Sequence, residues 1–374
     1  MLKKVNKNTK KNTITYLMVI LAWAIIELIS RSGKLSNLIS GMLVLLCVYS
    51  IMAVSLNLTV GILGELSLGH AGFMCIGAFS SAFFTQCFMD TGMGDGIRFL
   101  LAILVGVVVA GLFGLLIGIP VLRLKGDYLA IVTLAFGEII KNICNVMYVG
   151  KDSQGLHFSM KDTASLGMGV DGTVIINGAQ GITRTPRQST FTIGVILLLI
   201  TLVIVLNLIN SRTGRAVMSI RDNRIAAESV GIPVTKYKLL AFSISAAIAG
   251  AAGALYAHNT SALMATSAKF GYNMSIMFLV FVVLGGIGSM RGSVIAAVVL
   301  TVLPEVLRFA DNKRMLIYAI VLIVMMLWNW APAAKEFREW FKEYYTLTNI
   351  KARQKARKEK KAAKKAEKNT KEVA

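Results

Sequence analysis

The chain has 374 residues, of which 55% are hydrophobic and only 16% are charged, and its mean hydropathy is +0.66. This composition is typical of a membrane protein and excludes an ordinary soluble domain. The formal net charge of +21 would suit nucleic-acid binding, but much of it lies at the two ends of the chain: eleven Lys or Arg fall within residues 351–372, and five Lys fall among the first eleven residues. We therefore expect solvated basic tails that can contact anionic lipid, and no nucleic-acid partner.

Apolar runs of about 20 residues recur along the chain, and each is long enough to cross a hydrocarbon core of roughly 30 Å as a helix. The predicted fold is therefore all-α, a polytopic transmembrane helical bundle of about ten spans. They are expected at residues 14–30, 38–59, 70–88, 98–119, 128–148, 190–209, 239–258, 274–289, 292–309 and 314–331. No small-residue cleavage site follows the first run, which is interpreted as an uncleaved helix.

The distribution of Lys and Arg predicts the orientation, because these residues concentrate in cytoplasmic segments. A cytoplasmic N-terminus places 28 of them inside and ten outside, and the tails supply most of this bias. We expect both termini to be cytoplasmic, with a basic N-tail (1–13), a transmembrane domain (14–331) and a basic C-tail (332–374). Two loops are long: an external one at 149–189 and a cytoplasmic one at 210–238.

The cytoplasmic loop contains a short helix-forming piece, which begins near Gly214 and ends at a stop signal from Gly231 to Pro233. An amphipathic helix outside the bilayer can dock into a groove of a partner protein or lie in the lipid interface, and spacing alone leaves both open. On a helical wheel one side holds Ala216, Ile220, Ala227 and Val230, and another holds Arg221, Arg224 and Glu228.

A polar, glycine-rich stretch, "GELSLGHAGF" at residues 64–73, interrupts one of the most apolar regions of the chain. Irregular backbone and ionisable groups at membrane depth are tolerated where protein or a water-filled cavity covers them. We therefore expect a break at the start of the third span, beside a transport path. The candidates for lining that path are Gly64, Glu65, Ser67, Gly69, His70 and, in the fifth span, Glu138. The alternative is a buried structural role, which is favoured for His70.

Other sequence features argue for packing and against catalysis. Small residues at Ala110, Gly114 and Gly118, and again over 246–254, predict close contact between helices. The pattern G-x-x-x-x-G-K-[ST] does not occur, and neither does a C-x-x-C pair or a clustered set of catalytic or metal-ligating residues. We expect no enzymatic activity, no metal and no cofactor in this chain.

Five segments, in this order, carry a family resemblance: "LNLTVGILGELSLGHAGFMCIGAF" (56–79), "LRLKGDYLAIVTLAFGEIIK" (122–141), "NGAQGI" (177–182), "GRAVMSIRDNRIAAESVGIPVTKYKLLAFSISAAIAGAAGAL" (214–255) and "LGGIGSMRGSVIAA" (284–297). Together they resemble the LivM-type membrane permease subunits of bacterial branched-chain amino-acid ABC transporters. The external loop is longer than is usual in that family, by about 25 residues.

The resemblance implies a multi-pass protein of the bacterial plasma membrane that moves Leu, Ile and Val by alternating access. It implies as partners a homologous second permease (LivH-like), two ATP-binding subunits that hydrolyse ATP, and an extracytoplasmic substrate-binding protein. It also favours docking to the ATP-binding subunits for the cytoplasmic helix, through Gly214, Arg215, Arg221, Ala226, Ala227, Glu228 and Gly231. The alternatives are an ABC permease for other amino acids, amides or urea, and an ion-coupled secondary transporter.

Overall fold

The structure is a computed structural model that describes residues 7–31, 37–89, 92–124, 126–169, 172–308 and 313–330. Each of the ten predicted spans is occupied by a helix. The α-helices are α1 (Lys7–Arg31), α2 (Asn37–Asn57), α3 (His70–Cys87), α4 (Asp95–Val121), α5 (Asp127–Val146), α6 (Phe191–Asn210), α7 (Arg212–Asp222), α8 (Arg224–Ser229), α9 (Val234–Ala257), α10 (Ser267–Phe270), α11 (Tyr272–Gly285), α12 (Met290–Val306) and α13 (Arg314–Trp330).

Within the described residues, seven helical stretches are long and apolar enough to cross a membrane: Asn12–Ile29, Ile39–Leu63, Asp95–Val121, Asp127–Val146, Phe191–Asn210, Val234–Ala257 and Ser267–Gly285. The prediction of an all-α polytopic membrane protein is therefore confirmed, whereas ten membrane crossings and cytoplasmic termini stay predictions. Helix α1 begins at Lys7, inside the segment predicted as the N-tail. The predicted C-tail at 332–374 lies outside the described residues, and α13 forms part of a separate structural unit.

Helix α2 does not end as an ordinary α-helix. It continues as a π-helix over Leu58–Leu63, and Gly64 terminates it with a φ of 79°, in the left-handed region that favours glycine. Residues 65–69 follow without regular structure, and α3 starts at His70. The predicted break before the third span is therefore confirmed, and a π-helix, which is rare and marks functional sites in many proteins, precedes it.

The centre of the bundle is formed by α3, α4 and α9, which approach one another through small residues. A Cβ atom at Gly77 would collide with the backbone of Gly250, and one at Gly253 would collide with the carbonyl of Met74. Gly114 of α4 faces the methyl group of Ala246 in the same way. The close packing predicted for the small-residue stripes is confirmed, and it leaves no room for larger side chains between these helices.

The long loop predicted at 149–189 contains most of the described β-strands. Strands β1 (Tyr148–Asp152), β2 (Gly155–Ser159) and β3 (Thr173–Asn177) form an antiparallel sheet in the order β2-β1-β3. A second, shorter sheet consists of β4 (Ile182–Thr183) paired antiparallel with β5 (Ala262–Leu263). A helical-period search misses strands this short, and their pairing is decided by contacts outside each strand.

Asp152 stabilises the tight turn between β1 and β2. Its carboxylate accepts hydrogen bonds from the backbone N–H groups of Gln154 (2.7 Å) and Gly155 (3.0 Å), and its other oxygen lies 2.9 Å from Nε2 of His157. Desolvation acts to raise the pKa of this carboxyl, but the hydrogen bonds from Gln154, Gly169, His157 and Gly155 together lower it below the usual aspartate value. The turn is therefore built on a charged carboxylate.

The bundle has two ends, which we call the strand end and the helix-pair end. The strand end holds the sheet, which follows directly after α5. Lys151 of β1 donates from Nζ to the carbonyl of Cys87 at the end of α3 (2.7 Å). The helix-pair end holds α7 and α8, the start of α9 and the segment 58–69. The turn at 286–289 also lies there, since the N–H of Gly288 donates to Asn57 Oδ1 (2.8 Å).

Candidate functional site

The glycine-rich stretch lies at the helix-pair end, directly against α7. Arg221 of α7 donates from Nη1 to the carbonyl of Gly61 in the π-helix at 2.7 Å. The Arg221 side chain also covers Gly64, where a Cβ atom would collide with its Cγ. Both the backbone conformation of residue 64 and this contact therefore require glycine. Through Arg221, the helix predicted to dock a partner is in direct contact with the break between α2 and α3.

Glu65 forms an ion pair with Lys238, which lies near the start of α9. The pair is largely removed from solvent, because the side chains of Lys238 and Glu65 are only 9% and 14% exposed. The carboxylate predicted from sequence to line a transport path is thus paired with a cation of its own chain. The sequence had assigned Lys238 to the cytoplasmic loop, so its partnership with a residue 173 positions earlier in the chain was missed.

His70 and its neighbours belong to a buried polar network that joins α2, α3 and α9. His70 Nε2 lies 2.8 Å from the hydroxyl of Ser55, which also donates to the carbonyl of Ser245 at 2.6 Å. Thr59 donates to the hydroxyl of Ser245 at 2.8 Å. Ser67 is fully buried, and within the described part of the chain its hydroxyl has no hydrogen-bond partner. These contacts favour a structural role for His70, and no signal in the sequence linked it to Ser55 or Ser245.

Gly69 marks the closest approach of α3 to α5. A Cβ atom built on it would collide with the carbonyl oxygen of Thr133, and Gly137 on the same side of α5 packs against it. The Thr133 hydroxyl receives the N–H of Leu68 at 3.1 Å, which holds the two segments in register. Gly69 is therefore a packing residue in its local geometry.

Gly69→Ala is expected to lower the free energy of unfolding by roughly 2–3 kcal/mol, because backbone atoms of α5 would have to move. Gly41→Ala is the matched control: this α2 glycine has nothing within 4 Å of an added Cβ atom, so alanine there should be neutral or slightly stabilising. Thermal melting of both purified variants in the same detergent measures the difference. Equal melting temperatures would show that the contact between α3 and α5 yields easily.

Glu138 stands apart from this segment. Its carboxylate pairs with Lys141 one turn along α5 and accepts the N–H of Tyr272, the first residue of α11, at 2.8 Å. Lys141 also donates to the hydroxyl of Ser267 in α10 at 2.9 Å. The result is a charged cluster between α5 and the short helices that lead into α11. Lys141 and Ser267 were not among the residues predicted for the path.

The side of α5 that carries Glu138 is open. Ile131, Ala135 and Asn142 follow the same helical period and are exposed, and a quarter of the Glu138 side chain is accessible. A charged side chain in a membrane-spanning helix faces a water-filled cavity or another protein, since exposure to lipid is costly. Glu138 and Asn142 therefore make their part of this side better suited to a polar path than to contact with hydrocarbon.

The predicted single cytoplasmic helix is two helices. Asn223, with extended backbone, separates α7 from α8, and its side-chain oxygen accepts the N–H of Ala226 at 3.0 Å as an N-cap. This break changes the helical phase between α7 and α8, so the residues predicted to share one apolar side do not all lie on the same side. Ile220 and Ala227 are buried with Val234, as expected, but Val230 is 75% exposed.

The remaining residues predicted for coupling have defined positions around this pair. Arg215 donates from Nη1 to the carbonyl of Asn210 at 3.0 Å, and Gly214 packs on the last turn of α6, so both join α7 to α6. Glu228 pairs with Arg224 at 3.0 Å on the exposed surface of α8. Gly231 ends α8 with a φ of 80°. Beside Val230, Ile225 is 80% exposed, and this apolar surface of α8 was not predicted.

The family model described as the branched-chain amino acid transport system permease component matches residues 38–327. The chain is 33% identical to the high-affinity branched-chain amino acid transport system permease protein LivM of Salmonella typhimurium over 291 residues, and 33% identical to LivM of Escherichia coli over 297 residues. Each comparison covers 75% of this chain and 66% of the relative's length, slightly less than two thirds.

A more distant relative is the permease protein LivH of Escherichia coli, which is 22% identical over 287 residues, 75% of this chain and 89% of LivH. No solved structure matches the chain. The described apolar helices and these relatives together make it a multi-pass protein of the bacterial plasma membrane. The matched region includes the break after α2, the helix pair α7–α8 and the Glu138 cluster. The chain therefore belongs to the family of permease components of branched-chain amino acid transport systems.

Proposed function

We propose that this chain is the permease subunit of an ABC importer that moves branched-chain amino acids into the cell. Family membership and the names of the LivM relatives support the substrate class. The observation that carries the mechanism is the direct hydrogen bond from Arg221 of α7 to Gly61 of the π-helix, because it connects a docking helix to a break in the bundle.

The proposed partners are a homologous second permease, LivH-like, two ATP-binding subunits and an extracytoplasmic substrate-binding protein. The exposed apolar residues Ile225 and Val230 on α8 support docking of an ATP-binding subunit, since the helix pair lies outside the apolar spans. The helix-pair end is then cytoplasmic and the strand end external. In this proposal ATP is bound and hydrolysed by the partner subunits, and this chain needs no cofactor of its own.

Closure of the ATP-binding subunits would move α7 and α8 as one body. Arg221 would transmit the movement to the π-helix, and the ion pair between Lys238 and Glu65 would transmit it to the start of α3 and α9. A π-helix followed by a left-handed glycine is a local departure from the regular helical ladder, and it can change conformation without disturbing the rest of α2. The permease pair would thereby alternate between outward-open and inward-open states.

The open side of α5 around Glu138 is the proposed lining of the path. The substrate carries an ammonium and a carboxylate. The cluster of Glu138, Lys141 and Ser267 offers a complementary group to both, a carboxylate for the ammonium and a cation for the carboxylate. The second permease would cover the exposed residues on this side of α5. Glu65, which is paired with Lys238, would then act on the path indirectly through the movement of α3.

Glu138→Gln is expected to reduce leucine uptake by about tenfold or more, because it removes one charge of the cluster while keeping its shape. The amount of protein in the membrane and the retention of the ATP-binding subunits should stay normal. Ile139→Ala, at the next and more exposed position of α5, is the control that should transport normally. Unchanged uptake by the glutamine variant would remove Glu138 from the path.

The proposed function is tested by reconstitution. Vesicles that contain this chain with its three kinds of partner should accumulate leucine when ATP is supplied on the side of the ATP-binding subunits. Vesicles that contain this chain alone should transport nothing under a proton or sodium gradient, and uptake there would instead favour a secondary transporter. Calorimetry on the substrate-binding protein distinguishes Leu, Ile and Val from the other amino acids, amides or urea.

A further inference from the structure

Strand β2 carries an unexplained apolar edge. Leu156 and Phe158 are 60% and 58% exposed, and Met160, one residue after the strand, is 56% exposed. Since β2 lies at the edge of the sheet in the order β2-β1-β3, no strand among the described residues pairs with its outer side. Three large apolar side chains at every second position of an external loop are unusual for a surface that faces water.

The strand register shows which face of the sheet these side chains share. Phe158 pairs with Val149, which pairs with Ile176, and Leu156 pairs with Lys151. Paired residues of antiparallel strands project to the same face. Val149 and Ile176 are buried, and Lys151 reaches the carbonyl at the end of α3, so this face is directed toward the ends of the helices.

The opposite face is covered by the chain itself. The segment that follows Met160 folds over it: the N–H of Gly169 donates to Asp152 at 3.4 Å, and Met168 packs against Gly150. His157 also lies on that face, paired with Asp152. One face of the sheet is therefore apolar: it is buried at Val149 and Ile176 and exposed at Leu156 and Phe158.

We propose that the β2 edge is a membrane anchor: Leu156 and Phe158 insert into the lipid interface beside the strand end of the bundle. Strand β1 starts two residues after α5, a membrane-spanning helix, so the sheet lies at the level of the bilayer surface. The face that is buried on the bundle at β1 and β3 continues at β2 beyond the helices, where lipid surrounds the protein. Lys161, exposed next to Met160, adds a cation at the level of the lipid phosphates.

The anchor is tested by spin-label accessibility in the full chain, assembled with its partner subunits in bilayers of phosphatidylcholine and phosphatidylglycerol. Cys87, the half-buried native cysteine, is replaced by alanine, and Cys47, Cys75 and Cys144 are buried. Nitroxide labels are placed at Phe158→Cys and, as a second variant, at Leu156→Cys. The control is Thr163→Cys, an exposed position in the segment that covers the opposite face.

We expect the ratio of collisions with oxygen to collisions with a water-soluble nickel chelate to be at least about threefold higher at 156 and 158 than at 163, since oxygen concentrates in lipid and the chelate does not. Equal ratios at the three positions would mean that the strand faces water and would overturn the proposal. Low collision rates with both reagents, together with an immobilised label, would identify a protein partner on this surface and would overturn it equally.

Discussion

Glu65→Lys is expected to abolish leucine uptake, and combining it with Lys238→Glu is expected to restore a large part of it. In the single variant two cations meet in a site where the native side chains are at most 14% exposed. An uncompensated buried charge costs about 3–5 kcal/mol, enough to separate the segment before α3 from α9 at this point or to unfold the region. The double variant keeps one charge of each sign and the same contact between this segment and α9.

The experiment compares the two single variants, the double variant and the native chain for uptake and for the amount of folded protein in the membrane. A matched control is Glu228→Lys, which reverses a charge in the exposed pair on α8 and should leave folding nearly unchanged, because surface ion pairs contribute about 0–1 kcal/mol. Glu228→Lys should still weaken coupling if α8 docks an ATP-binding subunit. A double variant as inactive as the single variants would argue that Glu65 is needed as a carboxylate that lines the path, as predicted from the sequence.

Ile225→Asp is expected to release the ATP-binding subunits while the permease itself stays folded and inserted. Ile225 is 80% exposed on α8 and makes no contribution to the buried cluster of Ile220, Ala227 and Val234. An exposed apolar residue at the centre of a docking surface is typical of a binding hot spot, whose loss costs about 2 kcal/mol or more, and a buried charge adds to that cost. Affinity for the ATP-binding subunits should fall by roughly thirtyfold or more.

Co-purification of the ATP-binding subunits through a tag on this chain measures the effect, with Ile225→Leu as the variant that should behave as native. Ile220→Asp supplies the contrast, since a charge in the buried cluster should reduce the amount of folded protein and not only docking. Full retention of the subunits by Ile225→Asp would locate the docking surface elsewhere on the helix pair, and the proposed role of α8 would then be abandoned.

The sequence by itself determined the positions of the helices, the break before α3 and the close packing of α4 on α9. These features are local: a run of about 20 apolar residues must form a helix in lipid because its backbone groups have no other partners there. A glycine at a helix end and small residues at fixed spacing likewise have few alternative interpretations. Composition and the recognisable segments were also enough to identify the family.

The tertiary structure alone decided what the polar residues do. Glu65 and Lys238 are 173 positions apart along the chain, and Arg221 reaches Gly61 across 160 positions, so neither partnership leaves a local pattern. The cap at Asn223 shifted the helical phase between α7 and α8, and this exposed Val230 contrary to the prediction. The sheet at the strand end was missed for the same reason, because the pairing of short strands depends on neighbours that the helical bundle brings together.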